Sequence, residues 1–445
     1  MAYDPLSHLR NAVIYEIYVR NYSEEGAFSG VTMDLDRIRS MGVDIIWLMP
    51  IHPIGKVSKK GSLGCPYSIS DYRSVNPEYG SLNDFKHFID KTHELGMKLI
   101  IDIVYNHTSH DSFLVKDHPE FFRHNPSGQP ITTVPEWSDV IDLKHPDPEL
   151  TTYLIDSLRY WVSMGVDGFR CDVASLVPVE FWQKARRELK KVRGDLIWLA
   201  ESVHAAFVEK RRMNDLSAVS DSELYSAFDL TYDYDIWPMF QTVVKGELPV
   251  KRLLEMLRFQ DAIYPNGYIK MRCVENHDTV RIQKLAPTGT QALAWTGFQA
   301  FNKGAWLIYA GQEAGESHTP SLFDRDPIRW NGYPLQSFIT RLNLIKKHHY
   351  IANGKFILLK AEPLIQAAWR SEKGVLYGIF NVTGASGIID VSVPDGKYKD
   401  MVDQASVIID NGRTDCPETV TIIEATELLE ERPFYSELLD ANLTL

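Results

Sequence analysis

Val166-Asp-Gly-Phe-Arg-Cys-Asp-Val-Ala-Ser175 reads as a buried strand that carries Arg170 and Asp172 on residues of equal parity, so both side chains leave one face two residues apart. Charges on such a strand are costly unless they are paired or used. By itself the pair fits a structural ion pair and a functional site equally well. The neighbouring segments place it in a larger pattern. Upstream, Asp147-Pro148 opens a helix with Leu150, Leu154, Leu158 and Trp161 on its inward face, closed by Gly165. Downstream, Phe181, Ala185 and Leu189 share the face of a second helix that Gly194 ends, and an apolar strand over 196–199 follows.

The same helix-glycine-strand unit occurs twice before this. Leu35, Ile38 and Met41 face inward before Gly42 and an apolar run over 44–49; Ser81 and Asp84 form a capping box ahead of Phe85, Phe88, Ile89, Gly96 and a strand over 98–104. A first strand is expected over 13–19, and later ones over 227–230, 269–274 and 305–309, with helices over 253–259, 292–301 and 338–347. Strands apolar on both faces that alternate with helices belong to a parallel sheet, and this many units predicts closure into a (β/α)8 TIM barrel. Two segments break the alternation. Residues 107–145 are rich in Pro, His, Asp and Asn without helical period, and from 350 onward short alternating runs predict an antiparallel domain. The expected organisation is a catalytic barrel over 1–106 and 146–349, an inserted domain over 107–145, and a C-terminal β-sandwich over 350–445.

Composition narrows the function. Of 445 residues, 44% are hydrophobic and 24% charged, ordinary globular values, and no stretch approaches the roughly 20 apolar residues of a membrane span. The net charge of -12 argues against nucleic acid or an anionic membrane and for a neutral substrate. The amino terminus lacks the apolar core of a secretory signal, and Cys65, Cys171, Cys273 and Cys416 lie far apart without CxxC spacing, so free thiols in a reducing cytoplasm are expected. The 14 histidines show no HExxH motif or Cys/His cluster, which argues against a zinc site.

Charged residues recur where strands end: Asp102 with Asn106 and His107; Arg170 with Asp172; Glu201 with His204; Glu275 with Asn276, His277 and Asp278. In a barrel those ends converge on the face that carries the active site. Three convergent carboxylates with an arginine and histidines suit cleavage of a glycosidic bond, in which one acid protonates the leaving oxygen and another attacks or stabilises the cation-like sugar carbon. Over nearly its whole length the chain resembles the α-amylase family, glycoside hydrolase family thirteen. Asp102-Ile-Val-Tyr-Asn-His107, Gly168-Phe-Arg-Cys-Asp172, Glu201 and Glu275-Asn-His-Asp278 match its four motifs in order.

The resemblance implies Asp172 as nucleophile, Glu201 as general acid/base and Asp278 as the carboxylate that binds and distorts the sugar. It also implies Arg170 as the cation that keeps the nucleophile ionised, His107 and His277 as ligands of sugar hydroxyls, Tyr67 as a stacking tyrosine and Asp102 as an orienting residue. The neighbouring Arg170 is expected to lower the pKa of Asp172, and the apolar strand before Glu201 to raise that of Glu201. A retaining mechanism follows, with the two carboxyls about 5 to 5.5 Å apart. The chain also departs from the family. Ser175-Leu176 stands where many amylases have Lys-His, so that His204 is expected to substitute in part. Ala200 replaces a Gly. In Val140-Ile-Asp-Leu-Lys144, Lys144 stands where a calcium-binding Asp is common, so no cofactor is expected to be required and the lysine is expected to replace the cation; calcium, with Asn106 as a ligand, is the alternative. The expected activity is hydrolysis of α-1,4 bonds in maltodextrin or starch fragments. An exo-acting α-glucosidase or maltogenic enzyme is the alternative, and an inactive carbohydrate-binding scaffold the rival of another class.

Overall fold

A computed structural model describes residues 6–430, 434 and 435. Eight strands close into a parallel barrel in the order β1-β10-β9-β8-β7-β6-β3-β2. They are β1 (Val13–Ile17), β2 (Ile45–Leu48), β3 (Lys98–Ile103), β6 (Gly168–Cys171), β7 (Ile197–Ala200), β8 (Leu230–Tyr232), β9 (Lys270–Arg272) and β10 (Ala305–Tyr309). Two short strands interrupt the series after β3: β4 (His107–Ser109) and β5 (Val140–Asp142) pair antiparallel, with His107 opposite Asp142. Beyond the barrel, β11 (Lys355–Lys360), β12 (Ile365–Ser371), β13 (Gly374–Phe380) and β18 (Val420–Ala425) form an antiparallel sheet. Two hairpin-like pairs accompany it, β14 (Ile388–Asp390) with β17 (Arg413–Asp415) and β15 (Gly396–Lys399) with β16 (Ser406–Ile409). Residues 14–235 with 319–329 make one compact unit; 7–13, 236–318 and the described residues from 330 make another.

The local signals explain the elements. Ser81 and Asp84 form the expected capping box of helix Leu82–Glu94, and Asp147 accepts from the backbone N–H groups of Glu149 and Leu150 at the start of helix Pro148–Ser163. Barrel strands are buried along nearly their whole length, which is why their sequences read as continuous apolar runs. Gly168 has a specific reason to be glycine. A Cβ there would sit 2.2 Å from the Ile197 carbonyl oxygen, so a side chain would force β6 away from β7.

The structure corrects some boundaries. The sixth barrel strand begins at Leu230, not 227. Ala227 and Phe228 instead bond back to the Leu224 carbonyl in the turn after helix Asp221–Leu224, and the Phe228 ring packs 5.4 Å from Trp182. Burial of an apolar pair in a turn is indistinguishable by composition from burial in a strand. Residues 18 and 19 leave β1 for a short helical turn.

Candidate active site

The carboxyl ends of β3, β6 and β7 meet at one guanidinium. Neighbouring registers place Asp102 opposite Arg170 and Cys171 opposite Ala200, so Asp172 and Glu201, the next residue of each strand, emerge side by side. Arg170 is fully buried. Its Nη1 donates to Asp102 Oδ1 at 2.9 Å and Oδ2 at 3.1 Å and to Asp172 Oδ1 at 2.8 Å, while Nε donates to the Tyr232 hydroxyl at 3.1 Å. Nη2 lies 2.9 Å from Glu201 Oε2. That last contact is close in charge but off the hydrogen-bond direction, since Nη2 makes no hydrogen bond. Burial disfavours the arginine's charge, yet Asp102 and Glu201 outweigh it and hold its pKa well above the usual value. The rings of Trp47, Tyr67 and Tyr232 surround the guanidinium at 5.3, 5.5 and 5.3 Å.

The backbone between the two carboxylates is strained. Val173, directly after Asp172, has φ of 34°, a left-handed conformation that costs a β-branched residue on the order of 1–3 kcal/mol. The turn aims the Val173 N–H at Glu201 Oε2, 2.6 Å away. The residue after the β6 carboxylate thus holds the β7 carboxylate in place. This strained residue lies at the point where the two strands' ends are coupled.

Other residues named from sequence have the following surroundings. Tyr67, half-buried, donates its hydroxyl to Asp102 Oδ2 at 3.1 Å. His107 is buried against the Trp137 ring, its Nδ1 3.1 Å from the Asn106 amide nitrogen, and burial lowers its pKa to about 4. His204 precedes helix Ala205–Met213, bonds the Tyr234 carbonyl through Nδ1 at 2.7 Å and stacks on the Tyr234 ring. Ser175, one of the departures from the family pattern, is buried and accepts from the Val203 N–H at 3.2 Å, which anchors the loop that leads to His204. In the second unit, His277 and Asp278 lie in the loop after β9, with His277 Nε2 3.4 Å from Asp278 Oδ2. Their neighbour Glu275 is a structural group. It is fully buried, paired with Arg281 at 2.7 Å and capped by the Ile282 N–H at 2.6 Å.

Sequence reasoning missed Trp47, Tyr232 and Val173. Tyr232 had the signal of a polar-tipped aromatic at a strand end, but the displaced sixth strand concealed it. Nothing local announces the positive φ of a valine.

The donor set does not suit calcium, which prefers six to eight oxygens. Asn106 turns its amide nitrogen toward His107, and Asp139 is paired with Lys60 at 2.9 Å. Asp142 accepts from Thr133 N–H and Oγ1 at 2.8 and 2.6 Å; its other oxygen is buried without a hydrogen bond, but the charge acting nearby is the Arg211 guanidinium. No group of three His, Cys, Asp or Glu side chains able to hold a metal occurs among the described residues. Lys144 is not the substitute cation that its position suggests. Its side chain is exposed, because β5 ends at Asp142 and the chain there turns outward; the buried positions are served by Lys60 and Arg211.

Comparison with known proteins agrees with the arrangement. Residues 16–127 and 136–347 match the family model for the alpha amylase catalytic domain, and 356–423 match that for the bacterial alpha amylase C-terminal domain. An α-amylase structure from Lactobacillus plantarum is 41% identical and superposes with a TM-score of 0.91 over 94% of this chain and 100% of that one. A noncanonic maltogenic α-amylase from Thermotoga neapolitana is 33% identical, with a TM-score of 0.83 over 95% of this chain and 100% of that one. An α-amylase of Haloarcula japonica is 28% identical over 76% of this chain, which spans about half (49%) of that relative's length. With the catalytic-domain model matching most of its length, and with Asp102, Asp172 and Glu201 gathered on one arginine, the chain belongs to the α-amylase family of glycosidases.

Proposed function

We propose that the protein hydrolyses α-1,4-glucosidic bonds in maltodextrins or starch fragments with retention of anomeric configuration. The observation that carries this reading is the single guanidinium of Arg170 shared by Asp172 and Glu201. A bridge that short favours the close spacing of a retaining pair over the wider gap that an inverting enzyme needs for water. Asp172, ion-paired to Arg170, attacks the anomeric carbon as Glu201 protonates the departing glycosidic oxygen. Glu201, now ionised, then takes a proton from the water that releases the sugar from Asp172. Asp278 binds and distorts the sugar, Tyr67 stacks on it, and His107 and His277 bind its hydroxyls. With its pKa near 4, His107 is neutral at neutral pH and offers a single N–H donor. His204 serves the leaving side.

Similarity to the maltogenic structure favours a second reading, release of maltose from chain ends. Incubation with maltoheptaose separates them: mixed oligomers mean internal cleavage, maltose or glucose alone means end-directed cleavage. Products of the first turnover observed by proton NMR in the β-anomer, or no products at all from wild type, would sink the retaining hydrolase. Neither calcium nor another cofactor is required in this scheme. The four cysteines are free, which supports a reducing, cytoplasmic location in this reading.

A further inference from the structure

In the second unit, two adjoining cavities of about 240 and 440 Å³ open where the chain enters β9 and β10 and where β11 pairs with β12. They share Asp261, Tyr268, Lys303, Lys355 and Phe356 as lining. Their charge is opposite to that of the chain. Arg10, Arg258, Arg272, Lys303, Lys355 and Arg370 face one acidic residue, Asp261, in a protein of net charge -12. That carboxylate is already engaged, since Asp261 Oδ1 accepts from Lys303 Nζ at 2.7 Å and from the Tyr268 hydroxyl at 2.9 Å. Arg10 and Lys355 are exposed, and among the described residues neither side chain has a hydrogen bond or ion pair.

Behind the rim the positive charge continues inward. Arg272 is buried and donates to the Lys303 carbonyl at 2.8 Å and to Gln260 Oε1 at 3.0 Å; Lys346, also buried, donates to the Asn302 carbonyl at 2.6 Å. Burial, and then Arg272, push the Lys346 pKa down to about 7, as expected where cations crowd one another. A concave site with low-dielectric walls and one sign of charge concentrates the opposite ion. The remaining lining is apolar and aromatic. Phe356 is half-buried and packs 5.1 Å from the Trp369 ring, which gives a flat face against which the C–H side of a sugar ring can lie.

We propose that this pocket is a binding site for a small sugar phosphate, with the phosphate held between Arg10, Lys303 and Lys355 and the ring against Phe356. Its volume suits one phosphorylated monosaccharide, at the small end of ligand cavities. The site is separate from the residues assigned to glycoside cleavage, so its test does not depend on that assignment.

Calorimetric titration of the full-length protein in phosphate-free buffer uses glucose 1-phosphate, inorganic phosphate and glucose as probes, on wild type and on the double variant Arg10→Glu/Lys355→Glu. Glucose 1-phosphate is expected to bind wild type more tightly than inorganic phosphate, to weaken as salt is raised, and to lose about tenfold or more in affinity in the double variant. Both replaced side chains are exposed, so melting temperature and maltoheptaose hydrolysis should stay at wild-type levels. If the melting temperature falls, Arg10→Gln/Lys355→Gln replaces the first variant. Binding that is undiminished in the variant belongs to the cleavage site and overturns the proposal, as does the absence of binding to wild type. Equal affinity for phosphate and glucose 1-phosphate overturns the sugar-ring contact.

Discussion

Two buried arginines in this protein, Arg170 and Arg281, sit in similar burial but different company. Arg281 is ion-paired with one carboxylate, Glu275, whose other oxygen is capped by the Ile282 N–H, and its Nη2 donates to the Ala310 carbonyl at 2.7 Å; the buried carboxylate of Glu313 also acts on the pair by its charge. Arg170 meets three carboxylates, two of which, Asp172 and Glu201, keep 6% and 7% exposure while Asp102 is fully buried. Carboxylates in excess of the cation they share are costly to close off from solvent. The number of carboxylates in direct contact with the guanidinium, more than burial, separates the two clusters.

The strongest way to break that comparison is to neutralise one carboxylate of each cluster. Asp172→Asn is expected to reduce kcat on maltoheptaose by about 10⁴-fold or more while the melting temperature holds or rises, because a surplus negative charge is removed. Glu201→Gln should lose about 10² to 10⁴-fold and flatten the alkaline limb of the pH-rate profile. A variant of either residue with wild-type turnover removes the assignment.

The scaffold pair should respond the opposite way. Arg281→Met leaves Glu275 buried and uncompensated, at a cost of about 3–5 kcal/mol in urea unfolding, with kcat of the folded fraction unchanged. Burial already raises the Glu275 pKa, and loss of its partner would raise it further. If Arg281→Met abolishes turnover in protein that remains folded, the two clusters are not separable in function.

A smaller effect sharpens the picture through pH. Burial lowers the pKa of His52, His107 and His145 to about 4, below the unfolded value of about 6.5. Between those values the unfolded chain binds the extra protons, so stability is complete above about pH 6.5 and falls as pH drops toward 4. Each histidine contributes at most on the order of 3 kcal/mol across that window. Urea midpoints measured at pH 7, 5.5 and 4.5 should decline in that order; a flat series would contradict neutral burial of these rings.

The smallest expected effect is that of a chelator. Where Lys60 and Arg211 supply positive charge beside Asp139 and Asp142, dialysis against EDTA should shift neither melting temperature nor turnover. A drop that added calcium restores would show that the cation there is a metal. Arg211→Ala, by contrast, removes the bond to Thr133 Oγ1 and should lower the melting temperature by several degrees.

Much of the barrel was legible from local pattern, for a physical reason. A strand covered on both faces is apolar throughout, and a helix that turns back to it often stops at a left-handed residue; Gly42, Gly96 and Gly165, all at positive φ, mark three such joints. The sixth strand failed because Ala227 and Phe228 are equally apolar in a turn. Charged residues on otherwise buried strands pointed to Asp102, Arg170, Asp172 and Glu201 without coordinates.

What the sequence determined by itself was therefore the periodic fold, the family motifs and the residue types of the site, since each is set by neighbours within a few positions. Tertiary structure alone decided which carboxylates share a guanidinium, that Tyr232 completes it, that Val173 is strained to reach Glu201, and that Lys144 faces solvent while Arg211 does not. Those facts depend on pairs 28 to 78 residues apart in the chain, such as Val173 with Glu201, Arg170 with Asp102 and Arg211 with Thr133. No local pattern encodes such a distance; only closure of the barrel brings the partners within reach.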